Sequence, residues 1–169
     1  MRITVEELQL HPMVLSKTFA AGTIDYHGTE FRQAGPLKVE ARAELRGSEI
    51  SIRGRLTTSL EARCDRCLVS VALPVEQDFD LSYRPVSTLV RAEEVELPAD
   101  ELEVGFFSGD GIELADVVTE QVILALPMKI ICRADCRGLC PVCGANLNFE
   151  KCGCLPAQED SPFSVLNKG

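Results

Sequence analysis

Cysteine is the residue type whose spacing indicates the most specific chemistry in this chain. Six of the eight cysteines lie between Cys132 and Cys154, and the other two form a separate Cys-x-x-Cys pair far upstream. Clustered thiolates can bind a soft metal ion, act as a redox dithiol, or pair as disulfides. Eight thiols suffice for two tetrahedral metal sites. The predicted ligands are Cys64, Cys67, Cys132, Cys136, Cys140, Cys143, Cys152 and Cys154.

Chain order indicates how these thiols divide into sites. Cys140-Pro-Val-Cys143-Gly has the form of a zinc knuckle, in which Pro stiffens the turn and Gly lets the backbone amides curl toward sulfur. The shortest closure joins this pair to Cys152 and Cys154, so the upstream pair would join the cysteines at 132 and 136. One metal ion with spare thiols stays an alternative, in which Cys140 and Cys143 are the safest ligands.

The residue types favour a structural zinc ion over a catalytic or redox centre. A catalytic zinc keeps an open coordination position, whereas four thiolates close the site. Iron–sulfur clusters also use cysteines, but the knuckle form favours zinc. A redox Cys-x-x-Cys precedes a helix in a βαβ unit, whereas Cys64 and Cys67 stand between two predicted strands. We therefore predict one or two structural zinc ions.

The N-terminal residues bear on the compartment and hence on the disulfide alternative. Residues 1–15 carry acids within their apolar stretch and lack a signal-peptide cleavage pattern. No apolar run approaches the roughly 18 residues that span a bilayer. We therefore expect a cytoplasmic protein without a membrane partner. Thiols stay reduced in that compartment, which disfavours a disulfide framework.

Alternating apolar and polar residues predict the sheet that holds the upstream cysteine pair. The alternation runs from Leu37 to Leu45, resumes from Ile50 to Ala62 after a Gly-Ser turn, and continues from Val69 to Tyr83. This pattern is typical of three long antiparallel strands with one buried (dry) face and one solvent-exposed (wet) face. Cys64 and Cys67 then lie in the turn between the second and third strands.

A helical pattern follows the sheet at residues 113–126. Its apolar residues share one face from Leu114 to Ala125, its acidic residues lie away from that face, and Pro127 ends it. We expect this helix to pack on the dry face of the sheet. The predicted fold is α+β, with an antiparallel sheet that is open or barrel-like, one main packed helix and a C-terminal all-cysteine zinc module. The predicted bounds are 1–126 for the sheet domain, 127–154 for the cysteine-rich metal module and 155–169 for a tail.

Charge is unevenly spread along a chain whose net charge is −9. From Arg32 to Arg66 there are eight basic and five acidic residues, whereas from Glu76 to Glu120 there are two basic and thirteen acidic residues. Arginines on the wet face of the hairpin either grip RNA phosphates or form a solvated face interlaced with Glu40, Glu44 and Glu61. No aromatic stacking platform accompanies them, which argues against the reading of unpaired bases there. The candidate RNA-binding residues are Arg42, Arg46, Arg53, Arg55, Arg63 and Arg66.

Cations also stand beside the thiols, at Arg66, Arg133, Arg137 and Lys151. A zinc ion with four thiolates carries a net charge of about −2, so these side chains either temper that charge or contact a partner.

The sequence holds none of the common catalytic motifs, such as a Walker loop, a GxSxG turn or an HExxH helix. We therefore expect neither an enzyme nor a small-molecule substrate.

Four motifs, in order along the chain, resemble those of a known family. They are CDRCL from residue 64, LALP from residue 124, CRGLCPVCGANLN from residue 136 and CGC from residue 152. Together they resemble the YceD-like family of large ribosomal RNA subunit accumulation proteins. The resemblance implies a bacterial or organellar protein that supports normal accumulation of large-subunit (23S) ribosomal RNA, and it implies no enzyme activity.

Three functional hypotheses follow, in order of preference. The first is a ribosome-biogenesis factor that binds large-subunit rRNA or pre-50S ribosomal proteins. The second is a zinc-stabilised protein–protein adaptor that uses the acidic segment 76–120. The third is a redox enzyme, which predicts thiols that react readily while the metal is bound.

Overall fold

The computed structural model describes residues 1–26, 28–88 and 104–154. The predicted tail at 155–169 and the middle of the acidic segment lie outside the described residues. The chain divides into two compact units. The sheet unit comprises the described residues within Met1–Ala62 and Ala72–Met128, and the cysteine unit comprises those within Arg63–Val71 and Lys129–Gly169. The domain bounds drawn from the sequence stay a prediction.

The described residues form eight strands, two α-helices and one short 3-10 helix. The helices are α1 at Val5–Leu10 and α2 at Leu114–Leu124, and the 3-10 helix is at Val86–Thr88. The strands are β1 at Arg2–Thr4, β2 at Met13–Phe19, β3 at Arg32–Gln33, β4 at Leu37–Arg46, β5 at Glu49–Arg63, β6 at Ser70–Pro85, β7 at Val104–Phe107 and β8 at Gly111–Glu113.

The three predicted long strands are confirmed as β4, β5 and β6, which are neighbours in a six-stranded sheet. The strand order is β2-β4-β5-β6-β7, and β3 pairs with β5 beyond the end of β4. β4 and β5 pair antiparallel from Arg46↔Glu49 to Lys38↔Thr57, which makes the predicted hairpin. β2 adds antiparallel to the other side of β4.

Two expectations for this sheet are wrong. β7 pairs parallel to β6, with Ser82 opposite Val104, so the sheet is mixed rather than purely antiparallel. Parallel neighbours need a long connection, and the chain between β6 and β7 supplies one. The barrel-like alternative also fails, because no pairing joins the outer strands β2 and β7 within the described residues. Alternation reveals which face of a strand is dry but not which strand lies beside it.

The predicted main helix is confirmed as α2. Its buried residues include Leu114, Val117, Val118 and Val122, which belong to one hydrophobic core with the inward side chains of the sheet. Each such fully buried aliphatic side chain contributes about 2 kcal/mol through removal from water. No helix within the described residues has the length and apolar character needed to cross a membrane.

A close approach between two strands explains a glycine in the middle of β5. A Cβ atom at Gly54 would lie 2.5 Å from the Glu40 carbonyl oxygen and 2.8 Å from the ring of Phe79. Only glycine therefore allows β4 and the Phe79 ring to pack this closely against β5.

The sequence analysis missed α1, although the signal for it was present. The side-chain oxygen of Thr4 accepts a hydrogen bond from the backbone N–H of Glu7, and the Thr4 hydroxyl donates to the Glu7 carboxylate at 2.8 Å. This is a variant of the capping box that Thr-x-x-Glu predicts at a helix start. Helix α1 follows β1, which pairs with β8 in a separate two-stranded sheet.

Candidate metal centres

Two turns in the cysteine unit have the same backbone geometry. In the first, Leu68 N donates to Cys64 O at 2.9 Å, and Cys64 N donates to Val69 O at 2.8 Å. In the second, Gly144 N donates to Cys140 O at 2.9 Å, and Cys140 N donates to Ala145 O at 2.8 Å. The turn at the tip of the β5–β6 hairpin is therefore a knuckle of the same kind as the Cys-Pro-Val-Cys-Gly turn.

The first cysteine site consists of Cys64, Cys67, Cys132 and Cys136, whose four Sγ atoms lie within 4.8 Å of one another. Cys64 Sγ is 3.9 Å from Cys136 Sγ, and Cys67 Sγ is 3.6 Å from Cys132 Sγ. A tetrahedral zinc ion with Zn–S bonds of about 2.3 Å places its sulfurs about 3.8 Å apart. The four thiols therefore fit one tetrahedral ion.

These sulfur distances also bear on the alternatives. A disulfide needs an S–S distance of about 2.05 Å, and all eight cysteines are free thiols. A polynuclear iron–sulfur cluster has several metal ions and sulfides between its four cysteines, which spreads their Sγ atoms further apart than around a single ion. The spacing in the first site is that of a mononuclear centre.

Hydrogen bonds from the surrounding residues orient the first site. Cys132 N lies 3.4 Å from Cys64 Sγ, and Asn148 Nδ2 lies 3.4 Å from Cys136 Sγ. Asp65 forms a two-way bridge to Ile130, with Ile130 N donating to its carboxylate at 2.7 Å and Asp65 N donating to Ile130 O at 2.8 Å. The hairpin tip is thereby fixed to the segment that supplies Cys132.

Asn148 and Asn146 connect the second knuckle region to the first site. Asn148 Oδ1 accepts from Arg137 N at 2.8 Å and from the Arg133 guanidinium at 3.0 Å. Asn148 Nδ2 also donates to Asn146 Oδ1 at 2.9 Å, and Asn146 Nδ2 donates to Cys67 O at 3.3 Å. Sequence reasoning missed both asparagines, whose only signal was their place in the GANLN stretch after the knuckle.

The second cysteine site consists of Cys140, Cys143, Cys152 and Cys154, whose Sγ atoms also lie within 4.8 Å of one another. Cys140 is buried, but Cys143 and Cys154 are exposed. In the first site, by contrast, three of the four cysteines are buried. The structure thus brings together the two sets of four cysteines that chain order favours. The first set is more buried than the second.

The pKa values of the thiols indicate which thiols of each site are ionised before a metal binds. Burial alone would raise the pKa of Cys64, but hydrogen bonds from the N–H groups of Cys132, Arg66 and Cys67 outweigh it and lower the pKa to about 6. Backbone hydrogen bonds from Cys143 and Val142 lower the pKa of Cys140 to about 6.

Two other thiols in each site have a pKa that is raised instead. Burial and hydrogen bonding with Cys67 raise the pKa of Cys132 to about 12. Hydrogen bonding with Cys143, together with burial, raises the pKa of Cys154 to about 12. Each site therefore holds an ionised thiol beside protonated ones at neutral pH. A divalent cation is the charge that would let the remaining thiols ionise.

Leu68 occupies a backbone conformation that suits glycine. Its φ is 60°, at the position where the second knuckle has Gly144 with a φ of 73°. A side chain in this left-handed region costs about 1–2 kcal/mol relative to the right-handed one. Leu68 is nevertheless 55% exposed, so burial of its side chain offsets little of that strain.

The arginines of the hairpin face have carboxylate partners, several of which were not predicted. Arg53 lies 2.9 Å from Asp80, and Arg55 lies 2.9 Å from Glu76 and 3.1 Å from Asp78, all three acids being on β6. The predicted acid Glu44 pairs with both Arg42 and Arg46.

The two candidate arginines of the cysteine unit differ from these. Arg63 and Arg66 form no ion pair within the described residues. The Arg66 side chain donates to Cys136 O at 3.0 Å, so it helps to fix the first cysteine site.

Comparison with known proteins matches the family model "Large ribosomal RNA subunit accumulation protein YceD" over residues 52–168. An uncharacterized protein of Mycobacterium tuberculosis is 31% identical over 119 residues, which cover 70% of this chain and 55% of that protein. YlbN of Bacillus subtilis, also uncharacterized, is 23% identical over 132 residues, 75% of this chain and 72% of YlbN.

A chloroplastic relative carries a functional name. The Arabidopsis thaliana protein "Large ribosomal RNA subunit accumulation protein YCED homolog 1, chloroplastic" is 23% identical over 166 residues, which cover 81% of this chain and 49% of that protein. The chain spans about half the length of most of these relatives. No solved structure matches it. Since the family model covers well over half of the chain, this protein belongs to the YceD family of large ribosomal RNA subunit accumulation proteins.

Proposed function

We propose that this protein is a non-enzymatic ribosome-biogenesis factor that supports accumulation of large-subunit rRNA by binding that RNA or the ribosomal proteins of the assembling subunit. The observation that carries the proposal is the family match, together with the name of the chloroplastic relative. Reduced thiols fit a cytoplasmic location, which is part of the proposal.

Each cysteine site, in this proposal, holds one structural zinc ion. The fit of the first site to tetrahedral sulfur spacing supports it. Zinc would offset half of the thiolate charge and join the hairpin tip to the C-terminal segment. Four thiolate ligands leave no open position for a substrate, which supports a structural role rather than catalysis.

Metal analysis with thiol counting tests this assignment. Protein purified without added zinc should contain about two zinc ions per chain, and alkylation of its thiols should be slow until a chelator is added. Rapid alkylation with the metal bound would favour a redox enzyme instead. One ion per chain would favour a single site with spare thiols.

The arginine-rich face of the sheet remains the first proposed RNA contact. Exposed ion pairs contribute only about 0–1 kcal/mol, so phosphate oxygens can compete with the carboxylates of β6 for Arg53 and Arg55. Arg53→Glu with Arg55→Glu should weaken binding to large-subunit rRNA. The matched control is Arg32→Glu, whose arginine pairs with Glu61 beyond the hairpin face.

A protein–protein adaptor is the second candidate, and a cavity in the sheet unit favours it. The cavity of about 380 Å³ is lined by Tyr83, Phe106, Asp116 and Glu120 among others. Burial, followed by the charge of Glu120, raises the pKa of Tyr83 to about 12. Aromatic rings beside carboxylates suit a basic side chain of a partner protein.

Sedimentation distinguishes the two candidates. In cell extracts, the protein should migrate with precursors of the large subunit, and its depletion should lower the amount of 23S rRNA relative to small-subunit rRNA. Retention on particles after the hairpin arginines are reversed, combined with loss on Asp116→Asn and Glu120→Gln, would favour the adaptor. Normal 23S rRNA levels after depletion would overturn the proposed function.

A further inference from the structure

An exposed aromatic ring close in the chain to cations distinguishes the cysteine unit. Phe149 is 75% exposed, more than any other aromatic side chain among the described residues. It directly follows Asn148, whose side chain holds the backbone N–H of Arg137 at 2.8 Å. Lys151 stands two residues after the ring. The segment that carries the ring and Lys151 is therefore hydrogen-bonded, through Asn148, to Arg137 beside the first cysteine site.

The cations beside Phe149 differ from those of the sheet. Arg53 and Arg55 are paired with carboxylates of β6. Arg137 and Lys151 form no ion pair within the described residues, and neither side chain forms a hydrogen bond there. Their positive charge is therefore available to an anionic partner without breaking an internal ion pair.

The backbone at Leu68 lies near the same segment. Asn146 joins it to Phe149, because Asn146 Nδ2 donates to Cys67 O, next to Leu68, and Asn146 O accepts from Phe149 N at 3.0 Å. Leu68 keeps an exposed side chain at a φ of 60°, where Gly144 serves the equivalent knuckle without one. Strain that is retained at an exposed position is typical of a residue with a contact to make.

We propose that Leu68, Arg137, Phe149 and Lys151 form a binding surface for an unpaired RNA segment. One base stacks on the Phe149 ring, its edge contacts Leu68, and the adjoining phosphates pair with Arg137 and Lys151. Every base has a π-face, so stacking on one ring combined with nearby cations binds single strands with little sequence preference. This inference rests on the proposed function and specifies which part of the RNA is contacted.

The partner is an RNA rather than a protein because of the charge at this surface. An exposed ring on a segment that carries Lys151 and is hydrogen-bonded to Arg137 complements a polyanion with exposed bases. A purely apolar protein partner would leave both cations unpaired on binding, and the surface offers only two apolar side chains. Strands β4 and β5, which carry the hairpin arginines, contain no aromatic residue, so base contact is assigned to the cysteine unit.

A tryptophan reporter tests the stacking directly. The chain contains no Trp, so Phe149→Trp introduces a single fluorophore at the ring position. Titration with a single-stranded RNA of about 12 nucleotides should quench its fluorescence saturably, whereas the matching duplex should not. Leu10→Trp is the matched control, because Leu10 is 79% exposed but lies on α1 in the sheet unit. Its fluorescence should not change.

Affinity measurements on the full chain with the same RNA give a second readout. Phe149→Ala should weaken binding roughly tenfold, the effect expected for removal of one stacked base, and Phe149→Tyr should bind like the wild type. Arg137→Glu with Lys151→Glu should reduce the slope of log affinity against log salt by about 0.7 for each phosphate that is no longer paired with a cation. Phe149→Ala and Phe149→Tyr should retain the wild-type zinc content, since the Phe149 side chain is exposed and is not a ligand.

The outcomes separate this inference from the proposed function. If the wild type binds the RNA and Phe149→Ala binds it equally, the stacking surface is wrong, while RNA binding through the sheet arginines stands. If the protein binds large-subunit particles but not RNA, the surface is also wrong and the partner is a ribosomal protein. If it binds neither particles nor RNA, the proposed function fails as well.

Discussion

The change Asn148→Asp isolates the contribution of outer hydrogen bonds to the first cysteine site. The two residues have the same shape, but the variant has an oxygen where Asn148 Nδ2 donates to Cys136 Sγ and to Asn146 Oδ1. Both contacts become repulsive, and a negative charge is added beside four thiolates. The other oxygen keeps its two donors, Arg137 N and the Arg133 guanidinium.

The expected loss of metal-binding free energy follows from these contacts. A hydrogen bond to a charged acceptor contributes about 1.5–3 kcal/mol and a neutral one about 1 kcal/mol. The half-exposed Arg133 returns about 0–1 kcal/mol by pairing with the new carboxylate. The net loss is about 2 kcal/mol, which corresponds to roughly a 30-fold weaker metal affinity, within the range known for outer residues of metal sites.

Competition with a chromogenic chelator measures this effect. The measurement is made in a background with Cys143→Ser and Cys154→Ser, so that only the first site reports. Glu150→Gln is the control, because it changes the charge of the same loop by one unit, and no side-chain contact of Glu150 to the site is present in the described residues. An unchanged affinity in the Asn148→Asp variant would refute the assigned role of the Asn148 amide.

Three further predictions concern pH and packing. In each site two thiols have a raised pKa and are protonated at neutral pH, so zinc binding should release at least two protons per ion, and affinity should fall at least 100-fold per pH unit on acidification, as read by chelator competition. Thr58→Val should stabilise the protein by about 1–2 kcal/mol in urea unfolding, because the buried Thr58 hydroxyl lacks a hydrogen-bond partner among the described residues. Thr119→Val, the matched control, should not stabilise, because the Thr119 hydroxyl donates to Ala115 O at 2.7 Å. Gly54→Ala should destabilise by about 1–3 kcal/mol through collision with the Glu40 carbonyl oxygen and the Phe79 ring, and an unchanged unfolding midpoint would contradict that packing.

The sequence predicted those features that a local pattern determines. Alternation identified β4, β5 and β6, helical spacing identified α2, and spacing along the chain grouped the eight cysteines as the structure has them. Whether those groups hold zinc stays a prediction.

Features that depend on distant partners escaped the sequence analysis. The parallel pairing of β7 depends on where a long connection returns, and the carboxylate partners of Arg53 and Arg55 depend on the register of β6 against β5. The role of Asn148 emerges only when Cys136 is folded beside it. Polar residues in a turn carry no periodic signal, so such contacts become visible only in three dimensions.

The hairpin tip has a consequence for synthesis of the protein. Cys67 meets Cys132, which follows it by 65 residues. At about 5–20 residues per second, the ribosome needs roughly 3–13 seconds to add those residues. During that interval the first knuckle has been made without its two remaining ligands, and its sulfurs are open to oxidation or to a wrong metal. If the first site holds the proposed zinc ion, the yield of native chain should therefore depend on both translation rate and zinc supply.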